Sequence, residues 1–285
     1  RCLPAVTGII AGLSVSIAGN MHYVVYSKII PWLQNLQGKE ADSYWFPDAT
    51  RYIGYNPDVP DKTIHEFPCY SFVLGDLHAH VVNVMFVLFL VGLLYAWMRS
   101  VRMIMKPGRK QFWKKQLLIP HILLAAVMIG MFRFTNFWDF IIYFVVTGGV
   151  VLFTNIVQFD GKVKRILAVT AVQAVEIIVI SYVVSLPFTL QFDSMFKGVG
   201  IAQNHSMIHQ LLILWGLPVV LTVLLIICII WEKLRGGANR SLYKLMKAIS
   251  VPDLFAIVMG LCAIGLIMIP ELVYVRDIYE NGNAR

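Results

Sequence analysis

Six long apolar stretches, separated by short polar segments, constrain this chain more than any other feature: residues 81–98, 116–132, 140–157, 166–186, 210–231 and 252–269. A helix needs about 20 mostly apolar residues to cross the hydrocarbon core of a bilayer. A seventh stretch, 3–19, is shorter and rich in Gly, Ser and Ala, a composition suited to packing against other helices. The expected fold is therefore all-α, a polytopic transmembrane helix bundle of about seven spans. Composition agrees. The chain is 58% hydrophobic and 14% charged, against about 45–50% and 25% for soluble domains, which excludes a soluble globular enzyme and a disordered tail. Cys2, Cys69, Cys228 and Cys262 form no CxxC pair, so neither a disulfide framework nor a zinc knuckle follows.

The formal charge of +8 is unevenly placed. Short cytoplasmic loops retain Lys and Arg. With alternation through seven spans, one face collects Arg1 and the loops 99–115, 158–165 and 232–247. It carries sixteen Lys and Arg against three acids, Asp160, Glu232 and Asp253. The other face carries eight against twelve, with Glu176 inside a span. The basic excess is a topology signal and a match for anionic lipid heads. Nucleic acid is not an expected partner, because the basic loops lack interleaved aromatics apart from Phe112 and Trp113.

The less basic face, expected to be extracytoplasmic, holds most of the chemically loaded residues. Residues 20–78 form its longest loop, with an amphipathic stretch from Met21 to Leu36, a Tyr44–Arg51 block and turn-rich pieces, and are expected to make an ordered cap. The loop ends in Asp76-x-His78-x-His80, which suits zinc or manganese. If extended, the three side chains point to one side; if helical, Asp76 and His80 share a face. The alternative is that Asp76 caps a helix and the histidines anchor the span. The same pattern on metal-dependent amidohydrolase barrels is spurious here, because a membrane span follows instead of a βα unit.

Arg133, Asn136 and Asp139 lie at the end of the third span, where ionisable groups tend to line a cavity. Arg133 can pair with a phosphate or with Asp139. Glu176 sits within a span, one turn from Gln173, as a relay or as a hydrogen-bonded packing residue. His205 and His209 have helical metal-ligand spacing, or are an interfacial pair. Gly198 and Gly200 suit a flexible lid over the loop 187–209. Glu271 and Arg276 follow Pro270 on the same face as the loop 20–78.

The block Thr63-Ile64-His65-Glu66-Phe67-Pro68-Cys69-Tyr70-Ser71-Phe72-Val73-Leu74-Gly75-Asp76-Leu77-His78-Ala79-His80 resembles the T-I-x-E-F-P-x-x-S-F-x-x-G-D-L-H-x-H signature of the uncharacterised archaeal and chloroflexi "YYY" polytopic membrane proteins. Gly19-Asn20, Tyr44–Arg51, Asn136–Asp139 and Pro270–Asp277 are similar to further blocks of that family. The naming Y-Y-Y-x-G motif is absent, and the chain starts at Arg1, so it is expected to be a fragment forming one transmembrane domain over 1–285. That family is grouped with the GT-C membrane glycosyltransferases. The resemblance implies a prokaryotic plasma-membrane enzyme that takes a sugar from a polyprenyl-phosphate donor on the extracytoplasmic face. It also implies that the catalytic carboxylate of such enzymes can precede residue 1.

On this reading Glu66, Asp76, His78 and His80 are candidate bases. Asp76, His78 and His80 are also candidate ligands for a divalent metal. Arg51, Arg133 and Arg276 are candidate phosphate holders, with Asn136, Asp139 and Glu271 nearby in the substrate site. The alternatives are a transporter or lipid flippase with a path through Glu176, a non-catalytic scaffold, and a metal-dependent hydrolase recruiting His205 or His209.

Overall fold

The computed structural model describes residues 2–59, 62–104, 116–192, 198–237 and 242–276. It is almost wholly helical. The helices are α1 (Cys2–Ile17), α2 (His22–Leu36), α3 (Pro68–Leu74), α4 (Ala79–Ile104), α5 (Pro120–Thr135), α6 (Phe137–Gln158), α7 (Val163–Thr189), α8 (Ile208–Arg235), α9 (Leu242–Ala248) and α10 (Val251–Met268). The strands β1 (Gly198–Ile201) and β2 (Val273–Arg276) pair antiparallel, with Gly198 opposite Arg276 and Ile201 opposite Val273.

Five of these helices are long and apolar enough to cross a membrane, and α1 with α2 forms a further pair bent by 72°. The polytopic all-α expectation holds, with two adjustments. The 116–132 stretch is the 16-residue helix α5, because Pro120 sets its first turn and the extended Asn136 ends it. The 3–19 stretch stops at Ile17, and the amphipathic Met21–Leu36 segment becomes the second arm of the bent pair.

The chain divides into two compact units. The first comprises Arg1–Val81, Met195–Leu221 and Ile267–Arg285; the second comprises Val82–Ser194 and Thr222–Leu266. In the first, Asn20 organises the bend between α1 and α2. Its amide donates to Ala49 O at 2.7 Å and its carbonyl accepts from His22 N–H at 3.0 Å. Gly19 is required beside it, because a Cβ there would lie 2.7 Å from the Phe67 ring. Within α8, a π turn at Leu212–Gly216 precedes Pro218, and Ile213 O accepts from Met21 N–H at 2.9 Å.

In the second unit the core is built from Leu90, Trp97, Ile129, Phe132, Val150 and Val258 on α4, α5, α6 and α10. α5 packs parallel to the second half of α7. Leu118 meets Glu176, Gly130 meets Ser181 and Val184, and Phe134 meets Phe188. The apolar window of α8 has only 11% of its residues buried within the chain. Arg102 donates to Lys247 O and Ile249 O, fastening α9 to the end of α4. Lys247 and Tyr243 both donate to Asp160 on the α6–α7 turn.

Of the basic loop residues read from the sequence, Lys106, Arg109, Lys110, Lys114, Lys115 and Arg240 lie outside the described residues, as do Asp61, Asp193, Lys197 and Asp277.

Candidate functional site

The T63–H80 block folds into a tight structure before the first long span. Thr50 O accepts from His65 N–H at 2.8 Å, tying the Tyr44–Arg51 block to the strand-like residues that lead to Glu66. Pro68 starts α3 from the extended Phe67. Gly75, with φ of +67°, ends it in the left-handed conformation that residues with a Cβ rarely adopt. Asp76 N–H then bonds back to Ser71 O at 2.9 Å. This reversal aims the α4 start at α3 and brings Ser71 Oγ to 3.4 Å from His80 Nε2.

Four ionisable side chains converge there. Glu66 Oε2 lies 3.4 Å from His78 Nδ1 and 3.9 Å from His80 Nδ1. Asp76 Oδ2 lies 3.3 Å from His78 Nε2. The two imidazoles stack at 5.9 Å with 16° between their planes. Asp76 is the most open member, 55% exposed at its side chain, whereas Ser71 is 1% exposed. Neither the extended nor the helical reading of the motif describes this arrangement. Asp76 to His78 is non-helical and α4 begins at Ala79, so the three motif residues share neither a strand face nor a helix face. They are gathered by Glu66, from ten residues upstream.

The metal expectation for Asp76, His78 and His80 does not fit this arrangement. Three of the four imidazole nitrogens face carboxylate oxygens at ion-pair distance and the fourth faces the Ser71 hydroxyl. Among the described residues no group of three or more His, Cys, Asp and Glu side chains is arranged to hold a metal ion.

Arg51 follows Thr50 directly, beside the strand-like approach to Glu66. Its guanidinium makes no ion pair among the described residues, and neither does that of the exposed Arg276 on β2. Glu271 is otherwise engaged. Its carboxylate accepts from Ser206 N–H at 2.8 Å and Ser206 Oγ at 2.6 Å, and His205 Nδ1 lies 3.9 Å away. His209 instead meets the Tyr52 ring edge-on at 6.1 Å, so the two histidines do not form a ligand pair. Gly198 and Gly200 belong to the β1–β2 ladder, and a Cβ on Gly200 would lie 2.6 Å from the Tyr274 ring. Gly200 serves close packing of the ladder and Gly198 its φ of +137°, so both have a structural use in a paired strand instead of a free loop.

The cap rests on an aromatic layer that the motif reading missed. His22 stacks on Tyr26 at 4.5 Å and meets Tyr52 edge-on, and its Nδ1 lies 3.2 Å from Tyr44 OH. Tyr26 OH and Tyr52 OH are 2.7 Å apart. Burial, reinforced by the charge of Asp48, pushes the Tyr44 hydroxyl up to about 12, and burial raises that of Tyr52 further. Both remain neutral donors at physiological pH. Ser71 was also missed. A single Ser inside a helical block carries no signal until the α3–α4 reversal places it against His80.

In the second unit, Asp139 is 8% exposed. It accepts from Asn83 Nδ2 at 2.8 Å and Asn136 Nδ2 at 3.0 Å, and Asn83 also donates to Thr135 Oγ1 at 3.0 Å. Of the two partners open to Arg133, a phosphate or Asp139, the second is not taken, because two amides satisfy the carboxylate. Arg133 lies over the Phe140 ring at 5.5 Å, a cation–π contact.

No curated protein and no solved structure matches the chain. A family model described as "Uncharacterized membrane protein (DUF2298)" matches residues 1–252. That match takes in the whole Glu66–His80 cluster, the α1–α2 bend and all but the last of the long helices, and the chain belongs to this family of membrane proteins.

Proposed function

We propose that the chain belongs to a GT-C-like membrane glycosyltransferase that moves a sugar from a polyprenyl-phosphate carrier to an acceptor hydroxyl. The observation that carries this reading is the convergence of Glu66, Asp76, His78 and His80 at the start of a long apolar helix. A carboxylate–imidazole cluster there is a base positioned at a membrane surface. In the transfer, the acceptor oxygen bonds to the anomeric carbon and its proton passes to the cluster. The bond from that carbon to the phosphate oxygen breaks, and the electron pair leaves with the phosphate. Arg51 and Arg276, cations without carboxylate partners among the described residues, suit the phosphate charge. Arg133, cushioned on Phe140, is the corresponding cation of the second unit. The isoprenoid tail is accommodated by apolar helix surface, of which α1, α7 and α8 present a large amount. The charge asymmetry of the loops supports a plasma-membrane topology with the cluster outside.

The test is transfer of a labelled sugar from polyprenyl phosphate by the purified protein in lipid nanodiscs. Glu66→Gln, Asp76→Asn and His80→Ala are each expected to lower the rate by at least about 100-fold, with unchanged yield of monodisperse protein. Full turnover in all three variants would remove the cluster from the mechanism.

A further inference from the structure

A second polar cluster lies in the other unit, where α5 begins, and takes no part in the proposed transfer. The chain reaches α5 through a 3-10 turn at Gln116 and the non-helical residues 117–119, with Leu118 at a φ of +53°. Three side chains from neighbouring helices serve this stretch and one another. Gln173 Nε2 donates to Gln116 O at 3.1 Å, and Glu176 Oε1 accepts from Leu118 N–H at 2.8 Å. Asn155 Nδ2 donates to Gln173 Oε1 at 2.8 Å and to Thr170 Oγ1 at 3.0 Å. Asn155 and Gln173 are both 0% exposed.

Both N–H groups of the Asn155 amide are used, and acceptors are left over. Asn155 Oδ1 and Glu176 Oε2 are shielded from solvent and have no hydrogen-bond partner among the described residues. Glu176 also has no counter-charge among the described residues. No Lys, Arg or His among the described residues forms an ion pair with it, including His121 on the first turn of α5 and Lys164 and Arg165 on that of α7. An unbalanced carboxylate inside a span is costly, and a buried acceptor without a donor adds to the cost. Among the described residues, what this carboxylate lacks is positive charge. Around it the cluster offers carboxylate, amide and main-chain oxygens and no sulfur or imidazole, the ligand set of a hard cation. Broken helices facing such oxygens are where membrane proteins place alkali ions.

We propose that the cluster at the start of α5 takes up a monovalent alkali cation, sodium or potassium, with Glu176 Oε2 and Asn155 Oδ1 among its ligands. The ion neutralises Glu176 and fastens residues 116–119 to α6 and α7. It is independent of the proposed sugar transfer and is tested without an activity assay.

The experiment is thermal unfolding of the purified full chain in detergent, followed by intrinsic fluorescence, in sodium, potassium or choline chloride at equal ionic strength. One or both alkali ions should raise the midpoint saturably over choline by about 3 °C or more, and whichever does so identifies the ion. Glu176→Gln keeps the acceptor for Leu118 N–H and removes the charge, and should abolish the difference between salts while folding normally. Asn155→Ala should weaken it. Equal midpoints in all three salts would overturn the proposal, as would a midpoint that responds only to pH. Full retention of the alkali effect in Glu176→Gln would overturn it too.

Discussion

Helices α5 and α7 touch through their backbones at Gly130, and an added methyl there gives a direct measure of that contact. A Cβ on Gly130 would lie 2.7 Å from Ser181 O and 2.8 Å from Val184 Cβ. Ordinary van der Waals contact begins near 3.4 Å, so α7 must retreat by about 0.7 Å. The oxygen is main chain within a helix and cannot rotate away. Overpacking of this kind costs about 1–3 kcal/mol, and two simultaneous clashes place Gly130→Ala near the upper end. Replacing Gly by Ala inside a helix returns about 1 kcal/mol, leaving a net loss of about 2 kcal/mol. Gly148 on α6 supplies the control, since nothing lies within 4 Å of its added Cβ. Gly148→Ala should gain about 0.5–1 kcal/mol. The two variants should therefore differ by about 3 kcal/mol, or about 6–12 °C in midpoint for a chain of this size. Fluorescence-detected thermal unfolding of both proteins in one detergent reads the difference. Equal midpoints would mean that α5 and α7 are not in backbone contact and that the packing described here is wrong.

Asn83→Ala removes the donors to Thr135 and Asp139 and leaves a buried carboxylate on Asn136 alone. It should destabilise by about 3 kcal/mol in the same assay. Thr147 is fully buried on α6 and its hydroxyl has no partner among the described residues, so Thr147→Val should be neutral or stabilise by up to about 1 kcal/mol. The Asp160 carboxyl is held below its ordinary value by the hydrogen bond from Lys247 and then by that from Tyr243. A depressed carboxyl contributes stability above its unfolded value near 3.8 that is lost as pH falls through the folded value. Because the site is exposed, the contribution is at most about 0.5 kcal/mol. Asp160→Asn should lower the neutral plateau by up to that amount and leave the stability at the acid end unchanged, so that the acid limb flattens.

The helices were legible because apolar length is additive along the chain: α4, α6, α7, α8 and α10 each contain a stretch that stands out without any tertiary information. What periodicity cannot encode is a break. The 72° bend after α1 depends on the Asn20 side chain reaching Ala49 O, a partner 29 residues away. The late start of α5 depends on Gln173 and Glu176 serving the backbone at 116–118. The candidate site was half legible. Asp76, His78 and His80 announced themselves by spacing, but their true geometry follows from the Gly75 reversal and from Glu66. Glu271 and Asp139 look chemical in sequence and are spoken for in the structure, one by Ser206 and the other by two asparagines. Charged residues at helix ends are ambiguous until the donors around them are counted.

The length of α5 has a consequence for the membrane itself. Sixteen residues rise about 24 Å, whereas a typical hydrocarbon core is about 30 Å thick. A helix some 6 Å short is met by a thinner bilayer or by polar backbone drawn below the headgroups, at fractions of a kcal/mol per Å. Residues 116–119, with their amide and carboxylate partners, make the second solution available on one side of α5. Around the rest of α5 only the first solution is left, and lipid there should be thinner than the average core. Reconstitution into bilayers of increasing acyl-chain length would show it as a thickness optimum below that of a protein whose spans are all full length.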